Sequence, residues 1–337
     1  MSDRKLKVGV IGVGALGRHH TRLYKEVKNA ELVGIYDANF DTAQNIAKEF
    51  GVKAFQTIEE LANECEGLSI AVPSNLHHQI ASVLLRMKKH LLIEKPIAAT
   101  VQQAGELVRL AEENGVLIEV GHTERYNPVM SFMDGKINDV RLIEAKRMAP
   151  YPPARPGLHP RGTEVGVVLD LMIHDLELIL HIVQSKVEKV EAAGLSILSN
   201  SEDLANARIT FKNGCVANVT ASRVSETGQR RMQIYQSERY INLDYQDKTG
   251  TVYTKTDTGI SKEVVAVVDH NALQQELENF VNNALTFIET GTIPELKVSG
   301  KSGLEALRLA VKITEEIHRH NSAYGIPDKS VSFENVF

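Results

Sequence analysis

Two places in this chain carry residues able to handle a proton beside a reacting carbon. Lys95 follows the apolar run Leu91-Leu92-Ile93 and stands between an acid and a proline, Glu94-Lys95-Pro96. Pro96 restricts the backbone and permits a sharp, even cis, turn that aims the ammonium into a cleft. Further on, Asp170 and His174 are spaced i, i+4 in Asp170-Leu171-Met172-Ile173-His174-Asp175. On a helix they share one face, with apolar residues on the others. A histidine titrates near neutral pH and suits a proton shuttle. Taken alone, each feature also has a plainer reading: a solvated surface lysine, or a helix N-terminal carboxylate beside a structural histidine.

A third stretch indicates what such a proton would accompany. Val8 to Ile11 is an apolar run long enough for one buried strand. It leads into Gly12-Val13-Gly14-Ala15-Leu16-Gly17, then a polar helical segment to about Lys28. A second apolar run, Leu32 to Tyr36, ends in Asp37. Strand, glycine turn, helix, strand and terminal acid form the whole context of a dinucleotide fingerprint. Gly12 allows the tight turn, Gly14 lets backbone approach a pyrophosphate, and Gly17 lets the helix pack closely on the strand. Val13, Ala15 and Leu16 complete the loop, and the helix N-terminus offers free N–H groups to the phosphates. Asp37 lies 20 residues beyond Gly17, where a carboxylate meets the adenosine ribose hydroxyls. It would repel a 2′-phosphate, and Ala38 supplies no arginine to hold one. The expected cofactor is therefore NAD rather than NADP.

Composition narrows the class further. A chain of 337 residues suggests about two domains, and 43% hydrophobic content suffices for sizeable cores. Net charge is −5, with no long basic run, which argues against a nucleic-acid partner. Met-Ser-Asp-Arg-Lys runs straight into a strand without an apolar signal region, and no stretch is long enough to span a membrane. Cys65 and Cys215 lack metal-ligand spacing, so no metal site and no disulfide framework is expected. These features point to a cytoplasmic protein with two idle thiols.

The elements that must position the reactive groups follow from periodicity. Helices are expected over about 41–50, from a Thr57-Ile58-Glu59-Glu60 capping box, from 77 to about 89, and from Thr100/Gln103 to about 114. Strands are expected at 68–72, 91–93 and 116–120. Alternation at this spacing predicts a parallel sheet with helices on both faces, a Rossmann-type domain over residues 1–122. Its ligands sit at the carboxyl ends of the strands. There fall Gly12–Gly17, Asp37, Pro73, Ser74, His77, Glu94, Lys95 and Gly121–Arg125.

Residues 123–337 read differently. A strand over 140–148, a Pro/Gly/Arg-rich loop over 150–163 and a helix over 167–183 come first. Strands then dominate: 205–211, an Asn213-Gly214 turn, 216–222, 231–236, 239–245 and 251–255. This predicts a mostly antiparallel sheet with one helix, the one that carries Asp170 and His174. Two helices close the chain; one presents Leu273, Leu277, Phe280, Ala284 and Phe287, the other Leu304, Leu307, Val311 and Thr314. A sheet face left open implies a homodimer or homotetramer.

The ordered set Gly12-x-Gly14-x-x-Gly17, Ala71-Val72-Pro73-Ser74-x-x-His77, Glu94-Lys95-Pro96, Gly121-His122-x-x-Arg125-Tyr126-Asn127-Pro128 and Asp170-x-x-x-His174-Asp175 resembles the Gfo/Idh/MocA oxidoreductases. The resemblance runs through nearly the whole chain, including 296–309. It implies a Rossmann domain and then an α/β domain with a large, mostly antiparallel open sheet, with catalysis by Lys95 and His174, Asp170 positioning the substrate and Arg125 and Tyr126 contacting it. The family's usual threonine before the proline is Val72 here, and its usual asparagine after it is Ser74, which leaves contacts at 72–74 open. His19, His20, His78, His90 and His318 are read as solvated or capping.

The loop from Tyr151 to Gly162 carries Arg155, His159 and Arg161, able to grip a diphosphate. The stretch from His159 to Asp170 also looks similar to family members that oxidise the 3-hydroxyl of UDP-N-acetylglucosamine. The expected function is thus NAD-dependent oxidation of a secondary sugar hydroxyl, on a nucleotide sugar. The alternatives are a free-sugar or inositol dehydrogenase, a glycosidase using transient oxidation by NAD, and a non-catalytic NAD(H) sensor.

Overall fold

The computed structural model describes residues 4–133, 136–153, 162–163 and 165–327. The chain groups into two units, Met1–Tyr126 with His270–Leu304, and Asn127–Asp269 with Glu305–Phe337. A single division at residue 122 therefore does not describe it. The Ala272–Thr290 helix returns to the first unit because Leu277, Phe280, Val281, Ala284 and Leu285 share the core of Leu6, Val8 and Val10.

In the first unit, β1 (Leu6–Ile11), α1 (Ala15–Tyr24), β2 (Ala30–Tyr36), α2 (Phe40–Phe50), β3 (Lys53–Ala54), α3 (Ile58–Glu64), β4 (Gly67–Ile70), α4 (His77–Arg86), β5 (His90–Glu94), α5 (Val101–Asn114) and β6 (Ile118–Gly121) alternate. The six strands run in the order β3-β2-β1-β4-β5-β6, and every pair is parallel. The central strands are buried along their length, which is why they read as unbroken apolar runs. Thr57 and Glu60 close a full capping box on α3. Thr100 accepts from the Gln103 N–H, but the buried Gln103 Oε1 makes no reciprocal bond, so that box is half-built.

In the second unit, β7 (Val140–Met148), β8 (Val187–Leu195), β9 (Leu204–Phe211), β10 (Val216–Ser222), β11 (Gln229–Gln236), β12 (Arg239–Asp244), β13 (Thr249–Thr256) and β14 (Gly259–Val264) form one sheet. Its order is β14-β13-β12-β11-β7-β10-β9-β8; β7 and β10 run parallel and the other neighbours antiparallel. β8 and β14 carry alternating charges or lie fully exposed, so neither shows the apolar periodicity that would announce it. The Ile173–Val183 helix packs on β7. On the other sheet face Tyr235, Tyr240 and Tyr253 stack, with ring centroids 4.9 and 5.7 Å apart. No described helix is long and apolar enough to cross a membrane.

Candidate active site

The glycine loop does what the side-chain arithmetic requires. Gly12 has φ +82°, and a Cβ there would meet Val72 Cγ1 at 2.7 Å. A Cβ on Gly17 would lie 1.7 Å from the Gly12 carbonyl oxygen, so only glycine brings α1 this close to β1. Around Gly14 nothing lies within 4 Å. Gly14 caps α1 without a side-chain hydrogen bond, which leaves the first-turn N–H groups to a ligand. This cradle fits a pyrophosphate. Asp37, half-buried at the end of β2, accepts from Val13 N–H at 2.9 Å and from Asn39 N–H at 2.9 Å. The carboxylate thus shapes the glycine loop while retaining lone pairs for ribose hydroxyls.

Around the end of β5, several expected cofactor contacts turn out to face the protein. The Lys95–Pro96 peptide is cis. Lys95 itself is half-buried. His77 is buried, with Nδ1 2.9 Å from the Pro96 carbonyl and Nε2 2.9 Å from the Val72 carbonyl. It ties the turn after β4 to the turn after β5. Burial holds its pKa below the usual histidine value, against the two carbonyls that favour its charged form. Glu94 is buried and pairs through Oε1 with His20 Nε2 at 2.9 Å. Burial pushes its carboxyl upward, but His20, Lys95 and His77 outweigh this and leave it below the ordinary value. Pro73 and Ser74 open the short 3₁₀ turn before α4; Pro73 is exposed and Ser74 half-buried.

Arg125 and Tyr126 lie in a buried 3₁₀ turn, Thr123–Tyr126. The Tyr126 hydroxyl donates to Asn279 at 2.9 Å, and Lys297 sits 4.9 Å above its ring. Beneath this turn lie two more buried acids. Glu119 accepts from Asn283 at 3.0 Å, and burial pushes its carboxyl up to about 7. Glu276 accepts from Thr123 at 3.3 Å and is raised well above its ordinary value by burial and by the neighbouring Glu94. The sequence offered no sign of these, since buried acids on amphipathic elements look like solvated ones.

In the second unit, the expected helix over 167–183 begins as a π turn, Val168–Met172, and continues as an α-helix from Ile173. Asp170 sits in the π turn and His174 in the first α turn. A π turn holds about 4.4 residues, so i and i+4 still lie on nearly the same side. A Cβ on Gly162, where φ is +81°, would come within 2.4 Å of Asp170 Oδ2. The carboxylate therefore packs on that glycine. Asp175, next to His174, receives Arg147 in a bidentate pair at 2.7 and 3.1 Å, with both side chains almost fully buried.

A second arginine holds the approach to this helix. Arg223 donates to Asp203 at 2.7 Å, to the carbonyls of Gly162 and Val165 at 2.7 and 2.8 Å, and to Ser199 and Ser201. Asp203 is held down to about 2; burial alone would raise it, but Arg223, Ser199 and the N–H groups of the 197–199 turn dominate. Arg155, His159 and Arg161 lie outside the described residues. Among the described residues, no group of three or more His, Cys, Asp or Glu is placed to hold a metal. His20 and His90 are buried, not solvated: His20 on Glu94, and His90 accepting from Leu117 N–H at 3.1 Å.

A parallel six-stranded sheet with an open glycine cradle and an acid closing β2 defines a dinucleotide-binding Rossmann protein of the oxidoreductase class. Residues 6–122 match the oxidoreductase family model with the NAD-binding Rossmann fold, and residues 132–242 match the GFO/IDH/MocA C-terminal domain. The chain belongs to the Gfo/Idh/MocA oxidoreductase family. It is 33% identical to UDP-N-acetylglucosamine 3-dehydrogenase of Acidithiobacillus ferrooxidans over 82% of this chain and 88% of that protein. A crystal structure of that enzyme superposes with a TM-score of 0.85, covering 94% of this chain and 98% of the other at 31% identity. Myo-inositol 2-dehydrogenase of Thermotoga maritima is 25% identical over 94% of this chain and 98% of its own length.

Proposed function

We propose that this enzyme oxidises a secondary hydroxyl of a nucleotide-linked sugar, with the 3-hydroxyl of UDP-N-acetylglucosamine as the first substrate to test and NAD as the oxidant. The observation that carries the reading is near-full-length similarity, at 33% identity, to an enzyme of that name. NAD, when bound, supplies the hydride acceptor. The rest falls to the chain. The first turn of α1 binds the pyrophosphate, and Asp37 holds the ribose hydroxyls. His174 takes the proton of the substrate hydroxyl, Lys95 stabilises the developing alkoxide, and Asp170 orients the sugar. Arg155 and Arg161 hold the diphosphate. The same reading makes the stacked tyrosine face of the second sheet the contact of a homo-oligomer and assigns the enzyme to the cytoplasm.

Purified protein with NAD should form NADH from UDP-N-acetylglucosamine and not from free N-acetylglucosamine. Arg155→Ala or Arg161→Ala should raise the Michaelis constant about tenfold or more and change turnover little, since the diphosphate lies away from the reacting carbon. Equal use of the free sugar, or turnover of myo-inositol alone, would replace this reading with a free-polyol dehydrogenase.

Cofactor choice has its own test. Asp37→Ala combined with Ala38→Arg should swing the NADP-to-NAD preference by on the order of tenfold, the size of one charge-assisted hydrogen bond. Because Asp37 also accepts from Val13 N–H, NAD binding should weaken beyond the loss of the ribose contact. A wild type that already prefers NADP would overturn the role given to Asp37.

A further inference from the structure

Glu94 is the last residue of β5, directly before Lys95, yet its side chain turns inward. Its Oε1 is 2.9 Å from Nε2 of His20, which lies three residues beyond Gly17 on the helix that starts at the glycine cradle. The His20 ring is 1% exposed, and its Nδ1 has no partner, so the hydrogen bond that orients the ring is the one Nε2–H donates to Glu94. The other carboxylate oxygen accepts from Lys95 N–H at 3.3 Å and lies across the end of β6. There a Cβ on Gly121 would come within 2.9 Å of it. Glu94 thus leaves no room for a side chain at Gly121. The charges around this carboxylate are His20 from α1, His77 from α4, Lys95 on its own strand end, His122 after β6 and Glu276 from the Ala272–Thr290 helix.

We propose that Glu94 is a positioning residue for Lys95: anchored by His20 and seated on Gly121, its carboxylate holds the Lys95 backbone and stabilises the Lys95 side chain as an ammonium. The pair also links the cradle helix to the end of β5, so the group that grips the pyrophosphate and the lysine share one buried anchor. The catalytic consequence rests on the role proposed above for Lys95; the electrostatic one does not.

The test reads Lys95 directly. The full-length protein is trace-labelled with acetic anhydride across a pH series, and the Lys95 peptide is quantified by mass spectrometry. This gives its titration midpoint without any substrate. Glu94→Gln keeps the shape and an acceptor for Lys95 N–H but removes the charge. Its midpoint should fall by about one pH unit, a tenfold change in the ammonium-to-amine ratio. His20→Leu, which removes the anchor, should lower the midpoint too, whereas His20→Gln, which keeps a donor, should stay nearer wild type. An unmoved midpoint in folded Glu94→Gln overturns the proposal. If that chain does not fold, an unmoved midpoint in His20→Leu does so. Kinetics form the second arm: with UDP-N-acetylglucosamine and NAD, Glu94→Gln should lose about tenfold in kcat with KM within about twofold. A Lys95→Met chain with wild-type turnover would remove the catalytic reading of Lys95 and leave the labelling result standing.

Discussion

His174→Ala and Lys95→Ala each lower turnover by on the order of 10²–10⁴, the loss expected when a group that moves a proton or holds developing charge is removed. NAD binding stays near wild type in both, because the pyrophosphate cradle of Gly12, Gly14 and Gly17 uses neither side chain. On the proposed mechanism, in which both groups serve one step, the double variant loses less than the product of the two single effects. Steady-state kinetics and a direct titration of NAD binding, run together, check this. Near wild-type turnover in both single variants would leave an NAD(H) sensor as the better description. A loss confined to NAD affinity would instead move Lys95 into the cofactor cradle.

Arg147→Met is the variant with the largest expected cost to stability. Asp175 is 1% exposed, and without the guanidinium its carboxylate stays buried with the bidentate Arg147 bonds lost. Breaking a buried pair in this way costs about 3–5 kcal/mol. Urea unfolding followed by circular dichroism should show a lower midpoint with little change in slope. Arg147→Met with Asp175→Leu should recover much of the loss, because it also removes the buried carboxylate that the single variant leaves without its guanidinium. A single variant within about 0.5 kcal/mol of wild type would mean that the pair does not anchor this helix. If the anchor is real, the rescued double variant separates stability from chemistry. It should fold, yet its turnover reports how far the position of His174 depends on a charged neighbour.

The parts of the site that were legible in the sequence are those built within a few residues. Gly17 could be assigned because its missing Cβ answers to a carbonyl five residues away, at Gly12. Asp37 ends a strand paired with the one that leads into the loop. The Thr57–Glu60 box and the Asn213-Gly214 turn are equally local, and Gly214 indeed takes a positive φ. Less legible were His77 and Glu94, which their motifs place after β4 and at the end of β5 and which the sequence reading offered as cofactor contacts. Their motif position is a property of the chain. That their polar atoms turn to Val72, Pro96 and His20 is a property of packing.

By itself, the sequence determined the two architectures, the glycine cradle, the acid after β2 and the identity of the residues offered for proton transfer, because periodicity and turn chemistry act over one or two turns of chain. Tertiary structure alone decided the rest. It brought His20 onto Glu94 across 74 positions and Arg223 onto Asp203 across 20. It returned the Ala272–Thr290 helix to the β1 core, although its apolar face could have met any sheet. It also buried Glu119 and Glu276, whose charge changes with their surroundings. Desolvation and pairing are set by what comes to lie within a few ångströms, and no spacing along the chain records that.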